Sequence, residues 1–212
     1  MTAPLVIAID GPAGAGKSTV GRAVARRIGL EYLDTGAMYR AVTYAAMRRG
    51  VPVHDTDAVA ELAREITLDV DDDGVRVDGV DATVEIRGRD VTQAVSVVAA
   101  NSGVRSELVE RQRAWVRERG GGVVEGRDIA SVVFPEARLK LFVTASPRVR
   151  AERRVGEIGG DVHEVESAIV ERDRLDSTRD DSPLREVDGA IVVDTSEMSI
   201  DEVVDQIIEL LT

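Results

Sequence analysis

The sequence predicts an α/β fold: a parallel sheet covered on both faces by helices, with a small antiparallel sheet inserted into it. Three observations carry this. Short apolar runs alternate with stretches of helical periodicity, a glycine-rich segment joins the first apolar run to the first helix, and residues 67–85 switch to a period of two. Strands separated by helices pair in parallel and are buried on both faces.

Taken in order, Leu5–Ile9 is the first strand and 17–28 the first helix. A strand at 31–33 precedes helices at 38–49 and 57–66. Thr67–Asp71, Val75–Val77 and Ala82–Glu85 then alternate apolar and polar residues, with turn signals Asp73-Gly74 and Asp78-Gly79 between them. Two helices follow, at 88–98 and 103–119, the second ended by Gly120-Gly121-Gly122. The strand pattern returns at 122–125, 139–143 and 190–193. Helices near 147–156 and 164–176 lie between the last two, and 199–211 closes the chain. Trp115 and Phe142 read as core residues, His54 and His163 as surface residues outside any motif.

Composition narrows the function. The net charge is −12, and one Trp, three Tyr and two Phe in 212 residues supply few stacking platforms. Both argue against nucleic acid as a partner. No cysteine is present, which excludes disulfides and thiolate metal sites. No apolar stretch approaches the length of a membrane span, so a soluble cytoplasmic protein without a membrane partner is the expectation. The acidic surface favours a monomer. Lys17 and Lys140 are the only lysines among 27 basic residues.

One of those two lysines sits in Gly11-Pro12-Ala13-Gly14-Ala15-Gly16-Lys17-Ser18, followed by Thr19. The stretch fits G-x-x-x-x-G-K-[ST] and lies between an expected strand and an expected helix, the context that gives this phosphate-binding pattern its meaning. Glycines let the backbone close round phosphate, and the helix start offers unpaired N–H groups and the positive end of its dipole. Lys17 would reach the β- and γ-phosphates, and the Ser18 hydroxyl would ligate Mg²⁺.

Ligands of parallel α/β sheets bind at the carboxyl ends of strands. After the second strand comes Asp34-Thr35-Gly36-Ala37-Met38-Tyr39-Arg40, a helix cap with Arg40 one turn in, able to meet an anion at the helix start. After a later strand comes Glu125-Gly126-Arg127-Asp128, where Arg127 is placed to clamp phosphate bidentately. The run Glu171–Arg179 mixes both charge signs at helical spacing and, on its residues alone, reads as a solvated face with i,i+4 pairs.

Together these segments resemble the bacterial type of cytidylate kinase, in the nucleoside monophosphate kinase group of P-loop enzymes. The resembling stretches also include Val84-Glu85-Ile86-Arg87, Arg111-Gln112-Arg113 and Val132-Val133-Phe134-Pro135, in the family's order across nearly the whole chain. The resemblance implies transfer of the γ-phosphoryl of ATP to CMP or dCMP with Mg²⁺. It implies one P-loop kinase domain over 1–212 with a five-stranded parallel sheet, a monophosphate-binding region at about 35–105 holding the small sheet at about 67–87, and a short lid at about 154–165. By motif position Arg40, Arg127 and Arg179 hold the CMP phosphate. Ser96, Arg105 and Asp128 read cytosine, Arg172 and Asp176 face the sugar, and Thr35 stands where many members have Ser. Arg153 and Arg154, just before a lid that lacks Arg and Lys, are available to the ATP phosphates. Ile129-Ala130-Ser131 departs from the Gly-Thr pair that often follows Asp128 in the family.

Two rivals stay open at this level. One is the same scaffold acting on UMP, AMP or a small metabolite, which the residues round Asp128 disfavour. The other is a nucleotide-gated module, although the Asn-Lys-x-Asp signature of guanine-binding switches is absent.

Overall fold

The computed structural model describes residues 4–71 and 74–211, which form two compact units. The first comprises residues up to Tyr32 and from Gly120 onward, the second Leu33–Arg119.

In the first unit, β1 (Leu5–Asp10) runs into the glycine-rich loop and α1 (Lys17–Ile28). Chain order then gives β2 (Tyr32–Asp34), α2 (Thr35–Arg48), α3 (Thr56–Glu65), β3 (Leu68–Val70), β4 (Val75–Val77), β5 (Val80–Asp81), α4 (Arg89–Ala99) and α5 (Ser102–Arg119). The chain continues through β6 (Gly121–Gly126), β7 (Leu139–Thr144), α6 (Pro147–Ile158), α7 (Val162–Thr178), β8 (Ile191–Asp194) and α8 (Ile200–Glu209). A five-stranded sheet has the order β2-β6-β1-β7-β8, and its neighbouring strands are parallel at β1–β6, β1–β7 and β7–β8.

Consecutive residues Val6–Asp10 and Gly121–Gly126 are all buried, so both faces of the central strands are covered. One face carries Ile7, Ile9, Val123, Leu141, Val143 and Val193 against Val20 and Val24 of α1 and Val203, Val204 and Ile207 of α8. Register does the positioning. Asp10 lies opposite Gly126 and Phe142, and Thr144 opposite Asp194, so the loops after β1, β6, β7 and β8 leave from the same end. Gly11 is obligatory where β1 meets its loop. Its φ is +146°, and a Cβ there would overlap the Val143 carbonyl oxygen.

The second unit packs α2, α3, α4 and α5 with a three-stranded antiparallel sheet β3-β4-β5. The third strand corrects the sequence reading, which placed it at 82–85. Asp78 and Gly79 both take positive φ (53° and 76°), a two-residue hairpin turn that makes Val80 pair at once with Val77. Thr83 then ends the strand. Its hydroxyl accepts from Val75 N–H and donates to Asp81, and Glu85–Arg87 becomes a 3₁₀ turn. Asp73, part of the other expected turn, lies outside the described residues.

Arg111 fastens α5 to the end of α3, donating to the carbonyls of Ala63, Arg64 and Ile66 while pairing with Glu107. Trp115 and Phe142 are half-buried rather than core, and Trp115 is covered by the Arg119 guanidinium 4.4 Å from its ring centroid. His54 and His163 are exposed as expected. No helix among the described residues is long and apolar enough to cross a membrane.

Candidate active site

The loop between β1 and α1 has positive φ at Gly11, Gly14 and Gly16, and Gly16 caps α1 without any side-chain acceptor. The first N–H groups of α1 are therefore left to a ligand. Three of the loop's carbonyls are tied back. Pro12 O accepts from Lys17 Nζ (2.9 Å), Ala13 O from Arg150 (3.0 Å) and Ala15 O from the Thr195 hydroxyl (3.1 Å). Because a peptide is planar and trans, a carbonyl held on one side turns the next residue's N–H to the other. The N–H groups of Ala13, Gly14 and Gly16 consequently face away from those anchors.

Ser18 Oγ donates to Glu125 Oε1 (3.0 Å), and Tyr32 Oη donates to Oε2 of the same buried carboxylate (2.7 Å). Glu125 thus brings an acidic group to the hydroxyl that the motif assigns to Mg²⁺. Among the described residues no cluster of three or more His, Cys, Asp or Glu could hold a metal alone. A hydroxyl and one carboxylate suit Mg²⁺, which keeps waters and relies on substrate phosphates for the rest of its shell.

Beyond β6, Asp128 precedes a short π-helical turn, Ile129–Val133. The turn is pinned to the loop by Asp10, whose two oxygens accept from Ile129 N–H and Ala130 N–H, each at 2.8 Å. Ile129 and Ala130 thereby find their role: their backbone holds Asp128 in place. Burial pushes the Asp10 carboxyl up to about 6, against the opposing pull of those two N–H donors. The folded state therefore binds more protons than the unfolded chain between the ordinary Asp value and about pH 6, so stability falls as pH rises through that window and then levels. Carboxylates held low, including Asp78, Asp81, Asp194 and Glu202, act the other way only at its low end, as pH rises through their unfolded values of 3.8 and 4.5. Urea unfolding should show a loss of up to about 1.4 kcal/mol per pH unit between about pH 5 and 6. A profile that rises over that interval would exclude Asp10 as the dominant group.

The charged run on α7 divides between two faces. Glu171 and Arg174 form an exposed pair, whereas Asp176 is buried and Arg172 and Asp173 are partly so. Arg127 Nε donates to Asp176 Oδ2 (2.8 Å), and Arg179 Nη2 approaches Asp128 Oδ1 (3.8 Å), with Arg179 Nε on Ser182 O. Burial alone would raise the Asp176 carboxyl, but Arg127, then Arg172 and Arg179, outweigh it and hold it below the ordinary range. Burial likewise works against the Arg127 charge, and the fields of Asp176, Glu125 and Asp173 overcome it, raising its pKa. The solvated-face reading of this run is thus half right.

The remaining predicted positions are in the second unit, with Thr35 buried in the first turn of α2 behind the Asp34 cap. Arg40 donates to Ile86 O and Thr92 Oγ1 (3.1 and 2.9 Å), and Arg105 is buried over the Tyr39 ring (5.7 Å) with Nη1 on Ala99 O. Ser96 is half-buried on α4. Near the phosphate loop the structure adds Arg150 to the two arginines the sequence offered, Arg153 and Arg154. Arg150 binds the loop and Arg153 joins Thr195 (3.0 Å), while Arg154 pairs with Glu157 along its own helix. Arg150 and Thr195 had no motif to announce them, and Asp10 and Glu125 lay within quoted segments without being given a role.

The cytidylate kinase family profile matches residues 7–212. A cytidylate kinase of Rhodococcus opacus is 47% identical over 216 residues, covering 98% of this chain and 94% of that protein. A bifunctional pantoate ligase/cytidylate kinase of Prochlorococcus marinus is 48% identical over 217 residues, covering 97% of this chain and 44% of that protein. The chain spans less than half the length of such bifunctional relatives. Among solved structures, a shikimate kinase from Bacteroides thetaiotaomicron matches with a TM-score of 0.51 at 17% identity, covering 99% of each chain, a likeness of fold. A P-loop on β1, an Arg127–Asp176 fork beyond β6 and a profile match over almost every residue lead to one assignment: the chain belongs to the cytidylate kinase family.

Proposed function

We propose that the protein transfers the γ-phosphoryl group of ATP to CMP or dCMP, giving ADP and CDP or dCDP in pyrimidine nucleotide metabolism. The observation that carries this is the cluster of Arg127, Arg179, Asp128 and Asp176, grouped in the same unit as the phosphate loop. In-line phosphoryl transfer asks for positioning and charge neutralisation rather than covalent work by the protein. Lys17 leaves Pro12 O for the β- and γ-phosphates, and the N–H groups of residues 13–19 receive their oxygens. Mg²⁺, held by Ser18 with Glu125, supplies further charge neutralisation when bound. Arg127 and Arg179 hold the acceptor phosphate, and Arg172 and Asp176 face the sugar.

Asp128 accepts the cytosine amino group, with Ser96 and Arg105 as further readers. Arg40 and Thr35 serve the CMP phosphate end from a monophosphate-binding region at about 35–105, and the short lid lies at about 154–165 with Arg154 on the donor side. The enzyme acts as a cytoplasmic monomer, without nucleic-acid or membrane partners.

Asp128→Asn tests the base assignment. A carboxylate facing uracil O4 is repelled and unpaired, a penalty of about 1–3 kcal/mol that an amide removes. The ratio of kcat/KM for CMP over UMP should therefore fall by roughly tenfold or more. An unchanged ratio would move cytosine recognition elsewhere.

A further inference from the structure

Arg150 is 3% exposed, yet it lies neither in the phosphate-loop motif nor in the acceptor cluster. Its guanidinium makes three bonds to three parts of the first unit. Nε donates to Ala145 O after β7 (2.9 Å), Nη1 to Ala13 O in the phosphate loop (3.0 Å) and Nη2 to Asp173 Oδ2 on α7 (2.6 Å). Gly14 packs directly on it: a Cβ at that position would stand 3.3 Å from Arg150 Cβ. Asp173 in turn lies in the field of Arg127, whose Nε holds Asp176. Alternating Arg and Asp side chains therefore run from a phosphate-loop carbonyl to the acceptor clamp.

We propose that Arg150 is a positioning residue for phosphoryl transfer: anchored by Asp173, it fixes the Ala13–Gly14 peptide so that the Gly14 N–H is presented to the ATP phosphates. This rests on the kinase reading above. A rigid, planar fork suits this, because Ala145 O, Ala13 O and Asp173 Oδ2 meet three different guanidinium nitrogens, whereas an ammonium presents its three donors from a single atom. A bound phosphate and the Arg150 fork then grip opposite edges of the same peptide. Asp173 keeps the fork in place through Oδ2, its second oxygen being buried without a hydrogen-bond partner among the described residues.

Arg150→Lys and Asp173→Asn test this, since each retains the size of the pair and Lys retains its charge. ADP binding by calorimetry is measured together with KM for ATP, KM for CMP, kcat and Tm. Both variants should bind ADP and ATP roughly tenfold more weakly, with KM for CMP changed less than twofold. Lower Tm with unchanged ADP affinity would overturn the proposal and leave the pair a structural tie. Equal weakening toward ATP and CMP would overturn it too, by making the effect global. The wild-type protein separates this from the kinase reading: ADP binding without turnover of CMP defeats that reading while the binding comparison still decides Arg150.

Discussion

Lys17→Ala is expected to lower kcat by about 10²–10³-fold while the protein stays folded. Lys17 opens α1, where alanine is an equally good helix former, and its amino group donates to the Pro12 carbonyl. The fold therefore loses little. In the proposed reaction turnover would lose the point charge on the transferring phosphoryl group, in a site where preorganised charge is the main source of rate. Single-turnover kinetics with saturating ATP should show the defect in the chemical step, and Tm should move by only a few degrees. Near-wild-type kcat would remove Lys17 from its role.

Arg127→Ala should do two kinds of damage at once. It strips the fork from Asp176, a carboxylate whose side chain is only 9% exposed, and breaking such a pair costs about 3–5 kcal/mol. In the wild type Asp176 is held below the ordinary range, so it adds stability above the unfolded value and loses it as pH falls through the folded one. The variant should lack that contribution. It should also lose acceptor use, with kcat/KM for CMP reduced at least 10²-fold. The double change Arg127→Ala/Asp176→Ala isolates the stability part. Stability should partly recover because no buried charge is left unpaired, whereas kcat/KM for CMP should not. Recovery of activity with stability would make Arg127 a structural residue.

What the sequence disclosed follows from how each feature is encoded. The phosphate loop was legible because its chemistry is contiguous: glycines, a lysine and a serine at fixed spacing between a strand and a helix. The five-strand core was legible through apolar runs buried on both faces, and α1 matches its expected limits of 17–28. The third strand of the small sheet was misplaced because alternation extends through Ala82–Glu85, while the Asp78-Gly79 turn dictates pairing at Val80. On α7, residues 172 and 176 share the i, i+4 spacing of one helix face and Arg179 follows just past the helix end, a signal the mixed charges obscured.

Other contributors act across long sequence separations. Asp10 meets Ile129 and Ala130 119 and 120 positions away, Arg150 meets Ala13 across 137, and Thr195 meets Ala15 across 180. Glu125 was visible as a letter in the strand preceding Arg127, but its bonds to Ser18 and Tyr32 depend on the β1–β6 register. Pattern and propensity do not reach such contacts, because parallel strands bring them together only after the crossovers close.

The central claim, a phosphoryl transfer from ATP to a cytidine monophosphate, is tested most directly by one assay. ADP release with ATP and Mg²⁺ gives kcat/KM for CMP, dCMP, UMP and AMP side by side. CMP and dCMP should be preferred over UMP and AMP by at least tenfold. Preference for another monophosphate, or no turnover with any of the four, would contradict it.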